Sequence, residues 1–275
     1  MDLVTVTCNK DLKYMLLQAK SVGQFLKDET RHWVLVNEPQ SSLHTYDWYE
    51  ILSPYYKDHN LKVVYLDPVL WQYSDAGWVT QQVQKLKAVE LVNDDYLLLD
   101  SKNFLAFPLD LSEWTHGGSG VLISETINNE VWKYWDNVNT KYSQWLNVPK
   151  LETYYAVETP FVIQKEIARL AISVDNFEKK FIEIYNGGSN ASEFIYYSYF
   201  LRDAGHEFKN NRRHFCLWDR FTLDRWFAHE EYPLMEISGI HRDWILEASP
   251  CDKQHLIQWL STFGLIDERT ITLFD

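Results

Sequence analysis

Short apolar segments alternate with amphipathic helical segments through the first 125 residues, and this alternation constrains the fold more than any other feature. The apolar segments are rich in leucine and β-branched residues, and they end at polar or turn-forming residues. Such alternation is typical of βαβ units that build an open, mainly parallel sheet. The predicted strands are residues 3–7, 33–36, 61–66, 96–99 and 120–123, and the predicted helices between them are residues 12–26 and 79–89.

The apolar run Tyr-Leu-Leu-Leu at 96–99 has no polar alternation, which favours a strand covered on both faces of its sheet. Ser74 or Asp75 is placed to cap the helix predicted at 79–89. The chain has neither a Gly-x-Gly-x-x-Gly segment after its first strand nor a P-loop sequence, so an ordinary dinucleotide site is not indicated. The first half is therefore predicted to be a Rossmann-type α/β layer flanked by helices.

The second half of the chain shows helical periodicity and many aromatic residues. No glycine- or proline-rich linker separates it from the first half. The sequence therefore predicts one domain over residues 1–275, with an α/β half at 1–125 and a helix-rich half at 126–275. The predicted helices of the second half are 128–146, 159–174, 192–204 and 252–263, and its predicted strands are 214–218 and 234–237.

The chain is acidic, with a formal net charge of −13. A field of that sign disfavours nucleic acid and anionic membranes as partners. The three cysteines show no Cys-x-x-Cys spacing, which suits a reducing compartment. No secretory signal is evident at the N-terminus, and no apolar window reaches the length of about 18 residues that a membrane span needs. A cytoplasmic protein without a transmembrane segment is the expectation.

The apolar strand at 96–99 runs directly into Asp100, which is followed by Ser101, Lys102 and Asn103. Open α/β sheets bind their ligands at the carboxyl ends of the strands. A carboxylate at such an end can coordinate a divalent cation or bind a ligand hydroxyl group. Aspartate also opens turns well, so spacing alone leaves ligand binding and turn formation as alternatives.

Residues 77–108, GWVTQQVQKLKAVELVNDDYLLLDSKNFLAFP, resemble the central block of a family of bacterial and viral glycosyltransferases of the GT-A, nucleotide-sugar type. In that family a Gly-Trp and a Gln-Gln-x-x-Lys-Leu helix precede a strand that ends in Asp-x-Asp or Asp-x-Lys-Asn. Weaker similarity at 192–200 and 238–244 makes the resemblance collinear over residues 2–245. The matching residues are Gly77-Trp78, Gln81-Gln82, Lys85-Leu86, Asp100-Ser101-Lys102-Asn103 and Pro108.

The resemblance implies a GT-A-like fold and transfer of a sugar from a nucleoside-diphosphate-sugar donor to a glycan, lipid or protein acceptor. It assigns the nucleotide to residues 1–125 and the acceptor to residues 126–275. In GT-A enzymes an Asp-x-Asp pair binds Mn²⁺ or Mg²⁺, which neutralises the departing diphosphate. Here Asp100 matches the first Asp, but Lys102 stands in place of the second. Either Asp100 and His241 hold the metal, or Lys102 contacts the diphosphate and makes the metal dispensable.

The resemblance also implies roles for other side chains, each with a structural alternative. Asp100 and Glu193 are the catalytic candidates, with Glu193 polarising an acceptor hydroxyl or binding the donor sugar. An acid at the start of a helix is equally favoured by the helix dipole. Gln82 and Lys85 share a helix face that lies towards either the donor or solvent. The further candidate donor contacts are Thr7, Asp11, Trp78, Lys102, Asn103, Arg212 and Arg213.

Two other functions stay open from the sequence. A protein that kept this fold without the second Asp would bind a nucleotide or a carbohydrate without catalysis. A nucleotidyltransferase on a similar sheet would instead release pyrophosphate from a nucleoside triphosphate.

Overall fold

A computed structural model of the chain describes residues 1–26, 30–56, 60–73, 76–114, 122–124, 130–156, 159–188, 190–208, 214–217 and 236–275. The strands are β1 (Asp2–Thr7), β2 (His32–Val36), β3 (Leu61–Tyr65), β4 (Tyr96–Asp100), β5 (Asn103–Leu105), β6 (Leu122–Ser124), β7 (Thr153–Tyr155), β8 (Phe161–Ile163), β9 (His214–Leu217) and β10 (Ile237–Ile240). The helices are α1 (Leu12–Phe25), α2 (Trp48–Leu52), α3 (Gly77–Lys87), α4 (Glu130–Leu146), α5 (Lys165–Ile172), α6 (Phe177–Asn186), α7 (Glu193–Asp203), α8 (Arg242–Glu247) and α9 (Pro250–Thr262).

The main sheet has five strands in the order β3-β2-β1-β4-β8. Four of them are parallel, and β8 pairs antiparallel with β4 at one edge. On one face of the sheet, Leu3 of β1 packs in the same cluster as Val22 of α1. On the other face, Val4 of β1 packs with residues of α3 and α5–α7. The prediction of a mainly parallel sheet covered on both faces by helices is therefore confirmed.

Two predicted elements differ from the structure in their bounds or pairing, and the predicted cap of α3 lies outside the described residues. The helix predicted at 159–174 begins only at Lys165, because Phe161–Ile163 forms strand β8 against β4. The strand predicted at 120–123 is described only from Leu122, and it pairs with β7 in a separate two-stranded sheet. The N-cap of α3 is Ala76, which has no capping side chain, and Ser74 and Asp75 lie outside the described residues.

A second, three-stranded sheet has the order β5-β10-β9. It confirms the strand predicted at 214–218, whereas the strand predicted at 234–237 begins only at Ile237. Strand β5 follows the Asp100–Asn103 turn, and Asn103 lies opposite Gly239 of β10. The backbone N–H of Ile240 also donates to the Lys102 carbonyl oxygen at 3.1 Å. This sheet therefore fixes the turn after β4 against the segment that leads to His241.

Of the helices in the described ranges, none combines the length and apolar character that crossing a bilayer requires.

Candidate active site

Three side chains from separate segments meet at the carboxyl end of strand β4. Asp100 is the last residue of β4, Lys85 lies in the last turn of α3, and Glu193 is the first residue of α7. The Lys85 Nζ lies 2.8 Å from Asp100 Oδ1 and 2.8 Å from Glu193 Oε1. One buried ammonium group thus joins two carboxylates, and these three residues are called the Lys85 cluster below.

Helix α3 supplies a third partner for the Lys85 ammonium. Gln82 lies one turn earlier, and its Oε1 accepts from Lys85 Nζ at 3.0 Å. The Gln82 Nε2 donates to the carbonyl oxygen of Trp78 at 3.1 Å, which fixes the orientation of the amide. An ammonium group has three N–H bonds. Asp100, Glu193 and Gln82 therefore match all three donors of Lys85.

Glu193 begins helix α7, but the side chain that caps this helix belongs to its neighbour. Ser192 is the N-cap of α7, and its hydroxyl oxygen accepts from the backbone N–H of Ile195 at 3.2 Å. The Glu193 side chain is turned inward instead and is only 3% exposed. A carboxylate buried to that extent is costly unless it is paired, and Lys85 provides the pairing.

Burial and charge act against each other in the Lys85 cluster. Burial acts to raise the pKa of Asp100, but the Lys85 and Lys102 ammonium groups outweigh it and hold that pKa well below its usual range. Burial raises the pKa of Glu193, and Lys85 offsets this only in part. Burial acts to lower the pKa of Lys85, yet the two carboxylates keep it above its ordinary value. The cluster therefore holds Asp100 ionised and makes Glu193 the more basic carboxylate.

The second oxygen of Asp100 is engaged by Lys102. The Lys102 Nζ lies 3.0 Å from Asp100 Oδ2, so each carboxylate oxygen faces one ammonium group. Burial acts to lower the pKa of Lys102, but Asp100 outweighs it and raises that pKa above its ordinary value. Both lysines are therefore charged at neutral pH.

The turn between Asp100 and Asn103 is hydrogen-bonded to Gln18 of α1, a residue that the sequence analysis missed. Gln18 of α1 donates through Nε2 to the carbonyl oxygens of Asp100 and Asn103, each at 2.8 Å. Its Oε1 accepts from the Thr5 hydroxyl at 2.8 Å. The sequence signal was a glutamine among the apolar positions of the helix predicted at 12–26, three residues after Met15 and four before Val22. In the structure Gln18 is fully buried, so its amide must find buried partners.

A cavity of about 350 Å³ opens beside the Lys85 cluster. Its charged lining comes from the cluster and from Lys102, and its aromatic lining comes from Trp78, Trp135 and Phe194. His241 and Asn190 also line it. The volume lies at the lower end of the range of about 300–1,000 Å³ that is usual for ligand pockets. Mainly apolar walls with a few convergent polar groups are the usual composition of such pockets.

Three predicted donor contacts, Thr7, Asp11 and Asn103, lie outside the lining of the cavity. The Asp11 carboxylate accepts from the Ser101 hydroxyl at 2.6 Å, and burial raises its pKa. Thr7 is fully buried, and its hydroxyl finds no hydrogen-bond partner among the described residues. Asn103 is buried in the turn, where its Oδ1 accepts from the Asp100 N–H at 2.8 Å and from the Thr159 hydroxyl at 2.7 Å.

Of the remaining predicted donor contacts, Trp78 lies at the rim of the cavity. Trp78 is 42% exposed at the rim, where its ring packs at 5.8 Å from that of Tyr185. Arg212 and Arg213 lie outside the described residues. The structure thus brings Trp78, Gln82, Lys85, Asp100, Lys102, Glu193 and His241 to one cavity.

Among the described residues, the candidate ligands Asp100 and His241 do not by themselves make up the donor set of a divalent metal site. Asp100 has an ammonium group on each oxygen. The His241 Nδ1 is directed at Asp243, lying 3.3 Å from its backbone nitrogen and 3.4 Å from its Oδ2. In the described part of the chain, His, Cys, Asp and Glu side chains form no group of three or more that could hold a metal ion.

The fold is that of a GT-A-like α/β protein, and a polar cleft lies at the carboxyl ends of its parallel strands. Comparison with solved structures gives the galactosyltransferase LgtC in complex with donor and acceptor sugar analogues, at a TM-score of 0.57 and 16% identity, covering 99% of this chain and 100% of that one. An active-site mutant of LgtC matches at 0.51 and 15%, covering 98% of each chain.

The glycosyltransferase GlyE of Streptococcus pneumoniae TIGR4, in its apo form, matches at a TM-score of 0.50 and 11% identity, covering 99% of this chain and 61% of that one. At these identities the similarity shows the fold, and the GT-A-like fold implied by residues 77–108 is confirmed. No family model matches this chain, and no curated protein matches it in sequence.

Proposed function

We propose that this chain is a glycosyltransferase that moves a sugar from a nucleoside-diphosphate-sugar donor to an acceptor hydroxyl group. The observation that carries the proposal is the position of Asp100, Lys85, Lys102 and Glu193 around one cavity at the carboxyl end of β4. Ligands of open α/β sheets bind at this edge. The GT-A fold of the chain supports the same reading.

The charges of the site suit the departure of a diphosphate. In the reaction the bond between the anomeric carbon and the diphosphate oxygen breaks, and a bond to the acceptor oxygen forms. Negative charge then develops on the diphosphate, and a fixed cation beside it stabilises the transition state. Lys102 is the candidate for this contact, because Lys85 already meets three acceptors within the protein.

Glu193 is the candidate for the acceptor side. Its raised pKa makes it a better base than an ordinary carboxylate, and it lines the cavity next to Asn190 and Phe194. Gln82 offers an amide from the same wall to a sugar hydroxyl. The aromatic rings of Trp78 and Trp135 present flat apolar faces on which a sugar ring can pack. LgtC was solved with donor and acceptor sugar analogues, and a sugar acceptor is proposed here as well.

The test is release of nucleoside diphosphate from a panel of UDP-, GDP-, CDP- and ADP-sugars. One donor should be consumed by the wild type, with a roughly 100- to 1,000-fold lower rate in Asp100→Asn, because that change removes a preorganised charge from the site. Asp94→Asn is the matched control, since Asp94 is exposed just before the same strand. Binding of a nucleotide sugar without release would instead favour a non-catalytic binding protein, and pyrophosphate release from a nucleoside triphosphate would favour a nucleotidyltransferase.

A further inference from the structure

We propose that the Lys102 ammonium takes the place of a divalent cation, so that this site binds the diphosphate of its donor without metal; the inference rests on the proposed function. A nucleoside diphosphate is a polyanion, and a protein can neutralise it with a bound metal ion or with its own fixed cations. The choice between the two is determined by what surrounds Asp100.

The lone pairs of Asp100 are directed at ammonium groups. Lys85 Nζ lies 2.8 Å from Oδ1 and Lys102 Nζ lies 3.0 Å from Oδ2. A divalent cation coordinated by either oxygen would lie within a few ångströms of a positive charge, or would have to displace it. In a partly buried site such repulsion is weakly screened. Asp100 therefore acts as the counter-ion of the lysines.

The charge balance of the site is complete without metal. Two carboxylates and a divalent cation sum to zero, and so do the Asp100 carboxylate and the Lys102 ammonium. The remaining pair, Lys85 with Glu193, is also neutral. Lys102 therefore supplies the positive charge itself, whereas a second carboxylate at this position would supply it by binding a metal ion.

The Lys102 ammonium is also held in place, as a metal substitute must be. The Lys102 carbonyl oxygen accepts from Ile240 N–H at 3.1 Å, and Gln18 holds the carbonyl oxygens of Asp100 and Asn103 on either side. The Lys102 side chain is 22% exposed and lines the cavity, so it is accessible to a ligand there. Backbone anchoring and a carboxylate partner together preorganise this charge before a ligand arrives.

The direct test compares Mn²⁺ binding by the wild type and by Lys102→Asp, followed by electron paramagnetic resonance without any nucleotide. The wild type should leave Mn²⁺ in its free signal. Lys102→Asp places two carboxylates beside His241 and should bind the ion. If the wild type binds one Mn²⁺ and loses it in Asp100→Asn, the inference is overturned.

A second measurement titrates UDP, GDP, CDP and ADP by calorimetry in EDTA and in Mn²⁺. The wild type should bind one diphosphate equally well in both buffers, and Lys102→Met should weaken that binding roughly 10- to 100-fold, because a charge-assisted contact is lost. Lys87→Met, which removes a lysine of α3 outside the cavity lining, is the control. Binding by the wild type only in Mn²⁺ overturns the inference and leaves the proposed function standing. Binding of no nucleotide in either buffer contradicts the proposed function together with the diphosphate contact of Lys102, and the Mn²⁺ titration then decides only whether Asp100 binds a metal ion.

Discussion

The Lys85 ammonium of helix α3 lies 2.8 Å from the Glu193 carboxylate of helix α7, across 108 positions of the chain. Both side chains are nearly inaccessible, with exposed fractions of 4% and 3%. The pair joins the first half of the chain to the helix-rich second half at the wall of the cavity. Its removal should therefore affect folding as well as the site.

Lys85→Met should lower the free energy of unfolding by about 3–5 kcal/mol, because it leaves the buried Glu193 carboxylate without its cation and removes one of the two ammonium groups beside Asp100. Urea denaturation followed by circular dichroism measures the loss. The control is Lys87→Met: Lys87 pairs with Glu178 on the surface, with exposed fractions of 24% and 33%, and should cost about 1 kcal/mol or less. Equal losses in the two variants would show that Lys85 is not a buried anchor.

Gln18→Leu should cost about 2–4 kcal/mol, because the carbonyl oxygens of Asp100 and Asn103 lose their shared donor inside the protein. It should also weaken diphosphate binding, since the turn that carries Lys102 loses its support. Gln24→Leu is the matched change on the same helix: Gln24 donates to the Phe263 carbonyl oxygen at an exposed position. Unfolding curves and calorimetric titration of both variants give the answer. Unchanged affinity in Gln18→Leu would contradict the supporting role.

Trp78→Ala should raise the KM for a sugar substrate roughly 2- to 10-fold, the effect of losing one aromatic packing face. Its stability should change little, because the ring is already 42% exposed. Tyr49→Ala, at a residue that is 53% exposed on α2, serves as the comparison. Steady-state kinetics with varied donor and varied acceptor would show which substrate the ring contacts. An unchanged KM for both would remove Trp78 from the site.

His32 should make the protein less stable in mild acid. It is fully buried between the Thr5 hydroxyl and the Tyr56 hydroxyl, and burial lowers its pKa from 6.5 to about 3. Between these values the unfolded chain binds a proton that the folded chain does not, so stability falls as the pH falls. At about pH 5 the contribution is roughly 2 kcal/mol relative to neutral pH.

Unfolding by urea at neutral pH and at about pH 5 checks this expectation, with His32→Gln as the comparison. That variant removes the titrating group and should show a shallower pH dependence, even though it starts from a lower stability. Parallel pH profiles for the two proteins would show that other groups cause the acid sensitivity.

The parallel strands and the site's position in the fold could be predicted because their signals are local. Apolar runs mark β1 and β4, helical periodicity marks α3, and Asp100 follows its strand directly. Strand β8 could not be predicted, because Phe161–Ile163 has no period of its own and becomes a strand only by pairing with β4. Short strands depend on their partners in this way.

The partners of the site residues were also hidden from the sequence. Glu193 has the position of an acid that the helix dipole favours, and its contact with Lys85 exists only once α3 and α7 pack together. Gln18 has no motif around it, and its role follows from its burial beneath the turn. Lys102 stood out in the sequence as an unusual residue, but only the distances to Asp100 show that it forms an ion pair.

The pairing of β5 with β10 has a consequence for synthesis of the protein. A nascent chain that has emerged only as far as α7 already contains Asp100, Lys85 and Glu193, but it lacks the strand against which Asn103–Leu105 is aligned. The loop with Lys102 gains its last backbone anchor when Ile240 leaves the ribosome. Competence to bind the proposed nucleotide donor should therefore arise late in translation, and a ribosome-stalled fragment ending before β10 should form its main sheet without binding that donor.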